Sequence, residues 1–119
     1  MTTLSLLVKQ YADAAIAHEE ASKRGDYKVA NREYAKLTRI YRKLEQDPVL
    51  AQGVISELFN SSHYSVLEWA SAHALGLNIS VARAEKMLEE ISQMTDIGIV
   101  RLGAEMTLKE WQRKGKLTF

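Results

Sequence analysis

Three histidines are the residues of this sequence whose type best suits metal binding or proton transfer at neutral pH. They are His18, His63 and His73, and the intervals between them are 45 and 10 residues. Histidines that share a metal on one helix face are usually four residues apart, often as His-Glu-x-x-His, and this sequence has no such motif. We interpret His73, which falls among small residues, as a hydrogen-bonded core residue. His18 is expected to be a surface group near a helix end.

Carboxylates are the second group with catalytic potential. Glu85, Glu89 and Glu90 are close together on one predicted helix, but basic residues are interspersed with them on a face expected to be solvated. A general acid instead needs an apolar pocket. The chain has no cysteine, which excludes thiolate catalysis, disulfides and Cys-ligated zinc. It also lacks Gly-rich phosphate loops and nucleophile elbows. We therefore predict a non-enzymatic protein with no cofactor and no bound metal.

The strongest binding signal is a row of five basic residues on one predicted helix. Their spacings of 4, 4, 3 and 4 residues place them within a sector of about 80°. Ordinary solvated faces mix both charges, whereas Glu33 and Glu45 are expected to lie off this sector. We predict that the row, called the basic ridge below, contacts a partner, and that an acidic protein surface is the partner it fits best. The basic ridge consists of Lys28, Arg32, Lys36, Arg39 and Lys43.

Several alternatives to protein binding stay open. The basic ridge could be only the solvated face of an amphipathic helix, or it could contact nucleic acid weakly. Tyr27, Tyr34 and Tyr41 are expected to face the core, which disfavours nucleic acid because no ring would stand beside the ridge to stack on bases. An enzyme centred on His73 would need a concave pocket there. Self-association through uncapped apolar helix faces is the remaining alternative.

Composition indicates one all-α domain over residues 1–119. The chain has one proline, six glycines and many good helix formers. Sixteen basic and fifteen acidic residues leave a net charge of +1, which gives no general attraction to nucleic acid or anionic membranes. No apolar run reaches the roughly 20 residues that span a bilayer. Lys9, Gln10 and Asp13 interrupt the N-terminal apolar run where a signal peptide would continue. We expect a cytoplasmic protein that does not bind membranes.

Periodicity predicts six helices in three antiparallel hairpins. The second helix is the clearest, because apolar residues recur at 3 and 4 residues along it and form a narrow seam. Trp69 and Trp111 lie on apolar stripes and are expected to pack between helices, while Asn31 is expected to form a structural hydrogen bond at a half-buried position. The first helix is expected from about Thr3 to Arg24, closed by Gly25, and Asp26 is expected to cap the second, whose seam runs from Tyr27 to Leu44. Asp47-Pro48 should open the third helix, and Asn60 to Ser62 should cap the fourth, which Gly76 ends. Asn78 or Ser80 should cap a fifth helix that runs through Met94, and Asp96 should open the sixth, which Gly115 closes.

A pattern that recurs about 33 residues apart suggests stacked helical repeats. The segment from Val66 to Gly76 is echoed by the segment from Ile99 to Leu108, with small residues ahead of large apolar ones. Small residues let the backbones of neighbouring helices approach closely, as repeat stacks require. The echo therefore concerns architecture and does not indicate an activity.

Residues spread over most of the chain form a pattern whose most distinctive part is the block from Ala104 to Gly115. They are Gly25, Asp26, Asn31, Val66, Trp69, Ala70, Leu75, Ala84, Leu88, Ile91, Ala104 to Leu108, Trp111 and Gly115. In these residues the chain resembles a small bacterial family of HEAT-like α-helical domains of unknown function. The resemblance implies an α-α superhelix of about six helices in HEAT-like antiparallel hairpins, with no assigned activity. We accordingly predict a protein-binding module, and analogy at the level of the fold suggests a bacterial immunity or adaptor protein.

Overall fold

The computed structural model describes residues 2–119, and within that range the chain forms six α-helices and no β-strand. The predicted all-α class and the predicted helix count are therefore confirmed for the described residues. Over the same range, no helix combines the length and the apolar character needed to cross a membrane. The helices are α1 (Thr3–Arg24), α2 (Tyr27–Glu45), α3 (Pro48–Leu58), α4 (Tyr64–Leu77), α5 (Val81–Ser92) and α6 (Ile99–Lys114).

Capping residues set the helix boundaries in the first half as the sequence predicts. Gly25 ends α1 in the left-handed conformation, with φ of 73°. Asp26 then caps α2, because its carboxylate accepts a hydrogen bond of 3.2 Å from the backbone N–H of Val29. Asp47 caps α3 in the same way, and Pro48 occupies the first helical position. These short links make consecutive helices neighbours in space.

Predicted boundaries in the second half are less accurate. Asn60 to Ser62 do not cap α4, whose N-cap is His63, and α5 ends at Ser92 and not at Met94.

Two further predicted boundaries in the second half are also wrong. Gly76 does not end α4, which continues to Leu77 and is closed by Asn78 in the left-handed conformation. A side chain at position 76 would meet Tyr41 Oη at 2.7 Å, so this glycine serves close packing instead. Asp96 does not open α6 but has a left-handed φ of 65° in the preceding link. Asn and Asp tolerate that conformation better than most residues, so they suit links as well as caps.

α1 is the central element of the helix packing. It forms a hairpin with α2 and also contacts α3, α4 and α6. α5 packs extensively on both α4 and α6, whereas α3 and α4 share only a small contact. The molecule measures 34 × 30 × 24 Å along its principal axes. The grouping of these helices into HEAT-like hairpins stays a prediction.

The buried face of α2 differs from the predicted tyrosine seam. Tyr41 is 2% exposed, but Tyr27 is 77% exposed and Tyr34 is 45% exposed. The expectation that all three face the core is therefore wrong for two of them. A seam that repeats every 3.5 residues drifts by about 20° per heptad on a 3.6-residue helix, so it cannot stay against α1 along its whole length. Glu33 and Ile40 are buried in its place.

Candidate functional site

The basic ridge is exposed along its whole length, but it is not free of acid. Glu33 is only 5% exposed, and its carboxylate accepts a hydrogen bond of 3.1 Å from Lys36 Nζ. Arg32 Nε lies 3.7 Å from the same oxygen. The Glu33 backbone lies about 60° outside the sector, yet its side chain reaches the ridge. The expectation that Glu33 takes no part in this face is wrong, because an acid three residues before a lysine meets it on a helix surface.

The C-terminal part of the basic ridge borders a groove of about 550 Å³ between α1 and α2. Leu7, Ala14 and Ile40 are buried at its floor. Within residues 2–119, no carboxylate lies within 4.0 Å of Arg39 or Lys43, which therefore stand as unpaired cations at the groove edge. Lys28 and the guanidinium of Arg32 do not line this groove. The full polar lining is Gln10, Asp13, Glu33, Lys36, Arg39 and Lys43.

A second cleft, of about 300 Å³, lies where α1, α4 and α6 meet. We call it the Glu68 cleft, because Glu68 of α4 lies in it together with His18 and Glu19 of α1. Trp69 of α4 also lines it, and α6 contributes mainly apolar side chains. The lining residues used below are His18, Glu19, Tyr34, Glu68, Trp69, Val100, Gly103, Met106 and Phe119.

Glu68 is the most strongly perturbed acid in the described structure. Burial disfavours its charged form and raises its pKa from 4.5 to about 8, and the nearby Glu19 carboxylate acts in the same direction. Glu68 is therefore mostly protonated at neutral pH. Its side chain has no hydrogen bond or ion pair to any of residues 2–119. It lies against bare backbone, since a Cβ at Gly103 would stand 2.9 Å from Glu68 Oε1.

His18 is half-buried in the Glu68 cleft, so the expectation that it is a surface group is wrong. Its ring meets Trp69 edge to face, with centroids 5.3 Å apart and an interplanar angle of 87°. Burial lowers the pKa of His18, and the Glu33 carboxylate opposes this shift. Trp69 also contacts Tyr34 edge to face at 5.7 Å. These contacts cross three helices, which spacing along one helix cannot show.

His73 is a core residue, as predicted. It has no exposed surface, and Tyr11 Oη lies 2.8 Å from its Nδ1 in a buried hydrogen bond. Burial lowers the pKa of His73 to about 3, so the ring is neutral at physiological pH. Its Nε2 has no hydrogen-bond partner among the described residues. The hypothesis of an enzyme centred on His73 is wrong, because that hypothesis requires a pocket open to solvent.

Other sequence-derived expectations have mixed outcomes. Trp69 and Trp111 are partly buried and pack against the core, as predicted. Asn31 is exposed and forms no side-chain hydrogen bond to residues 2–119, so the structural role expected for it is wrong. Of the three acids expected on a solvated face of α5, Glu89 and Glu90 are exposed and Glu85 is half-buried. Within the described range, no group of three His, Cys, Asp or Glu side chains is placed to hold a metal ion.

Sequence reasoning did not single out Glu68, although a signal was present. It is the single acidic or basic residue among the 14 residues of α4, if histidine is left aside. A lone acid in a helix of apolar and small residues must be placed close to the core. The size of the cleft around it depends on α6, which arrives from 31 or more residues later in the chain.

Comparisons with protein-family models, with curated proteins and with solved structures found no match for this chain. The resemblance to the HEAT-like bacterial family therefore stays a prediction. The chemistry of the groove and of the cleft is therefore the evidence for what each of them binds.

Proposed function

We propose that this protein is a binding module whose groove between α1 and α2 holds an acidic amphipathic segment of another protein. The observation that carries the proposal is the combination of a buried apolar floor with unpaired cations at the edge. Leu7, Ala14 and Ile40 form the floor with exposed fractions of only 5%, 2% and 8%, while Arg39 and Lys43 are placed to pair with carboxylates. An immunity or adaptor role belongs to the same proposal.

The length of the groove fits about three turns of helix. On α1 the lining runs from Leu7 to Ala17, and on α2 it runs from Glu33 to Lys43. Each stretch rises about 15 Å at 1.5 Å per residue. A partner helix of that length presents apolar residues at i, i+3 or i+4 and i+7 on one side, with acids beside them. The groove therefore selects for both spacing and charge.

The same groove fits nucleic acid less well. Tyr27 and Tyr34 are exposed, but they lie about 140° and 160° around α2 from the middle of the basic ridge, so neither ring stands beside it. Stacking platforms next to a cationic track are what single-stranded nucleic acid binding requires.

Selection from a random peptide display library on the purified protein tests the proposal. Enriched peptides are expected to combine acidic residues with apolar residues at helical spacing. Their binding should be lost in the double variant Arg39→Glu, Lys43→Glu, because both cations are replaced by acids. The matched control is Lys86→Glu with Lys116→Glu, which makes the same charge change at exposed positions outside the groove.

The results separate the alternatives. Peptides without enrichment in acids, or equal binding by both double variants, would overturn the proposal. A parallel gel shift with a single-stranded and a double-stranded oligonucleotide at low and high salt measures nucleic-acid contact. Binding there that falls steeply with salt and is lost only in the Arg39→Glu, Lys43→Glu variant, with no peptide selected, would favour nucleic acid instead.

A further inference from the structure

The Glu68 cleft has the opposite charge character to the groove between α1 and α2. Two acids, Glu68 and Glu19, line it, and none of its described lining residues is lysine or arginine. Its histidine, His18, has a pKa lowered by burial and is neutral at physiological pH. The remaining wall is mainly apolar or aromatic, with the hydroxyl residues Ser65 and Thr107 as its other polar members. Once Glu68 is ionised, a site of this composition attracts cations and repels anions.

We propose that the Glu68 cleft binds an organic monocation of the alkylammonium type, with the ammonium group at the Glu68 carboxylate and the alkyl chain against α6. This site is separate from the groove between α1 and α2, and the proposal does not rest on the function proposed for that groove. The ligand class follows from three features of the cleft, which concern the carboxyl group, the aromatic rings and the apolar wall.

The carboxyl group of Glu68 is a hydrogen-bond acceptor without a donor. No described side chain bonds to it, and it rests on α6 backbone at Gly103, where a side chain would collide with it. An ammonium group carries three donors and one positive charge, so it supplies what this carboxylate lacks. Hydrogen bonds between two charged groups are roughly twice as strong as neutral ones. Glu19 is a second carboxylate nearby, and it is already paired with Lys23, whose Nζ lies 3.0 Å from Glu19 Oε2.

Aromatic rings and apolar side chains suit the rest of such a ligand. Trp69 and Tyr34 line the cleft, and their rings are 5.7 Å apart at their centroids. Aromatic rings attract organic cations through their quadrupoles, most strongly where water is excluded. Val100 and Met106 of α6 provide apolar surface for a short alkyl chain. The volume of about 300 Å³ accommodates a chain of several carbons and excludes large ligands.

Binding of a cation must displace the proton that Glu68 carries at neutral pH. The pKa of Glu68 is about 8 in the empty cleft, so an ammonium ion competes with a proton. The other titratable groups that face Glu68 are His18 and Glu19 of α1, Tyr11 of α1 and Tyr34 of α2, and α6 contributes none to the lining. Alkylammonium ions keep their charge up to about pH 10, as lysine does. The affinity should therefore rise roughly 10- to 30-fold between pH 6.5 and 8.5.

Titration with hexylammonium tests the proposal, with hexanol and hexanoate as the neutral and anionic probes of equal chain length. Binding is measured by calorimetry and by the NMR shifts of the Trp69 indole N–H at pH 8.5. We expect hexylammonium to bind at least 10-fold more tightly than hexanol, and hexanoate to bind least. Glu68→Gln should weaken hexylammonium binding at least 10-fold and abolish its pH dependence, while Glu89→Gln, an exposed control on α5, should leave both unchanged.

A second pair of probes distinguishes a free amine from a lysine side chain as the source of the cation. A short peptide with one lysine and blocked termini is titrated beside hexylammonium. Binding of either probe that depends on Glu68 supports the proposal and identifies the source. Equal binding of hexanol and hexylammonium, tighter binding of hexanoate, or no binding of either cation at millimolar concentration would overturn it. Circular dichroism of Glu68→Gln checks that the variant is folded.

Discussion

Replacing Glu68 by glutamine is expected to remove a loss of stability that the wild-type protein shows above neutral pH. The folded protein holds the Glu68 proton more tightly than the unfolded chain does, because the pKa of this carboxyl is raised from 4.5 to about 8. For an acid whose pKa is raised on folding, stability is greatest at low pH and falls as pH rises from the unfolded value through the folded value. Glutamine is neutral at every pH and has nearly the same shape.

The useful interval lies above pH 6.5, because the histidines oppose the effect of Glu68 below it. His73 is held neutral with a pKa near 3, so its contribution to stability rises with pH up to its unfolded value of 6.5. Between pH 6.5 and 9 the Glu68 contribution falls by about 2 kcal/mol, since one pKa unit corresponds to 1.36 kcal/mol and Glu68 passes from almost fully protonated to mostly ionised. The corresponding loss from pH 4.5 upward is about 5 kcal/mol in total.

Urea unfolding monitored by circular dichroism at pH 6.5, 7.5, 8.25 and 9 measures this effect. The quantity compared is the difference in free energy of unfolding between wild type and Glu68→Gln, because titrations common to both proteins cancel in it. We expect the difference to shift by about 2 kcal/mol in favour of the variant across the interval.

Glu89→Gln is the control for this measurement, because Glu89 is exposed and has no ion pair within residues 2–119. It should follow the wild-type curve at every pH. A wild-type protein with constant stability from pH 6.5 to 9, or a Glu68→Gln variant with the same decline as wild type, would refute the reasoning. Either result would mean that Glu68 is solvated well enough to ionise normally.

Two further substitutions test packing around His73. Tyr11→Phe should destabilise the protein by about 1–3 kcal/mol in urea unfolding, because it leaves His73 Nδ1 buried without its partner at 2.8 Å. An unchanged free energy would show that the hydrogen bond has no net value. Gly76→Ala should destabilise by about 1–3 kcal/mol despite better helix propensity, because its methyl group would meet Tyr41 Oη at 2.7 Å and Phe119 at 2.9 Å. A higher thermal midpoint for that variant would contradict the close contact.

The sequence predicted well what is decided within a few residues along the chain. The Gly25-Asp26 and Asp47-Pro48 signals lie at the ends of α1, α2 and α3, where local capping bonds form. The basic ridge is exposed over its length for the same reason, since residues four apart share a helix face whatever packs elsewhere. Local hydrogen bonds and helix geometry suffice for these features.

What depends on contacts between distant helices was harder to predict. His18 was predicted to be a surface residue, but its ring packs against Trp69 of α4. Gly76 was predicted to end a helix, but its small size is required by the close approach of Tyr41 of α2. The Glu68 cleft needs α1, α4 and α6 together. Neither a period nor a spacing within one helix contains this information. The predicted burial of Tyr27 and Tyr34 was wrong for a related reason. The seam pattern does not show along how much of its length α2 is covered by a partner helix.

The contact between α1 and α6 has a consequence for how the protein folds and unfolds. In a linear stack of repeats each unit touches only its neighbours, and the ends can fray independently. Here the first helix packs on α2, α3 and α4 and also makes a small contact with the last helix, so elements from the two ends of the chain touch each other. During synthesis α1 has only its hairpin with α2 until the later helices emerge. The chain should therefore melt in one cooperative transition.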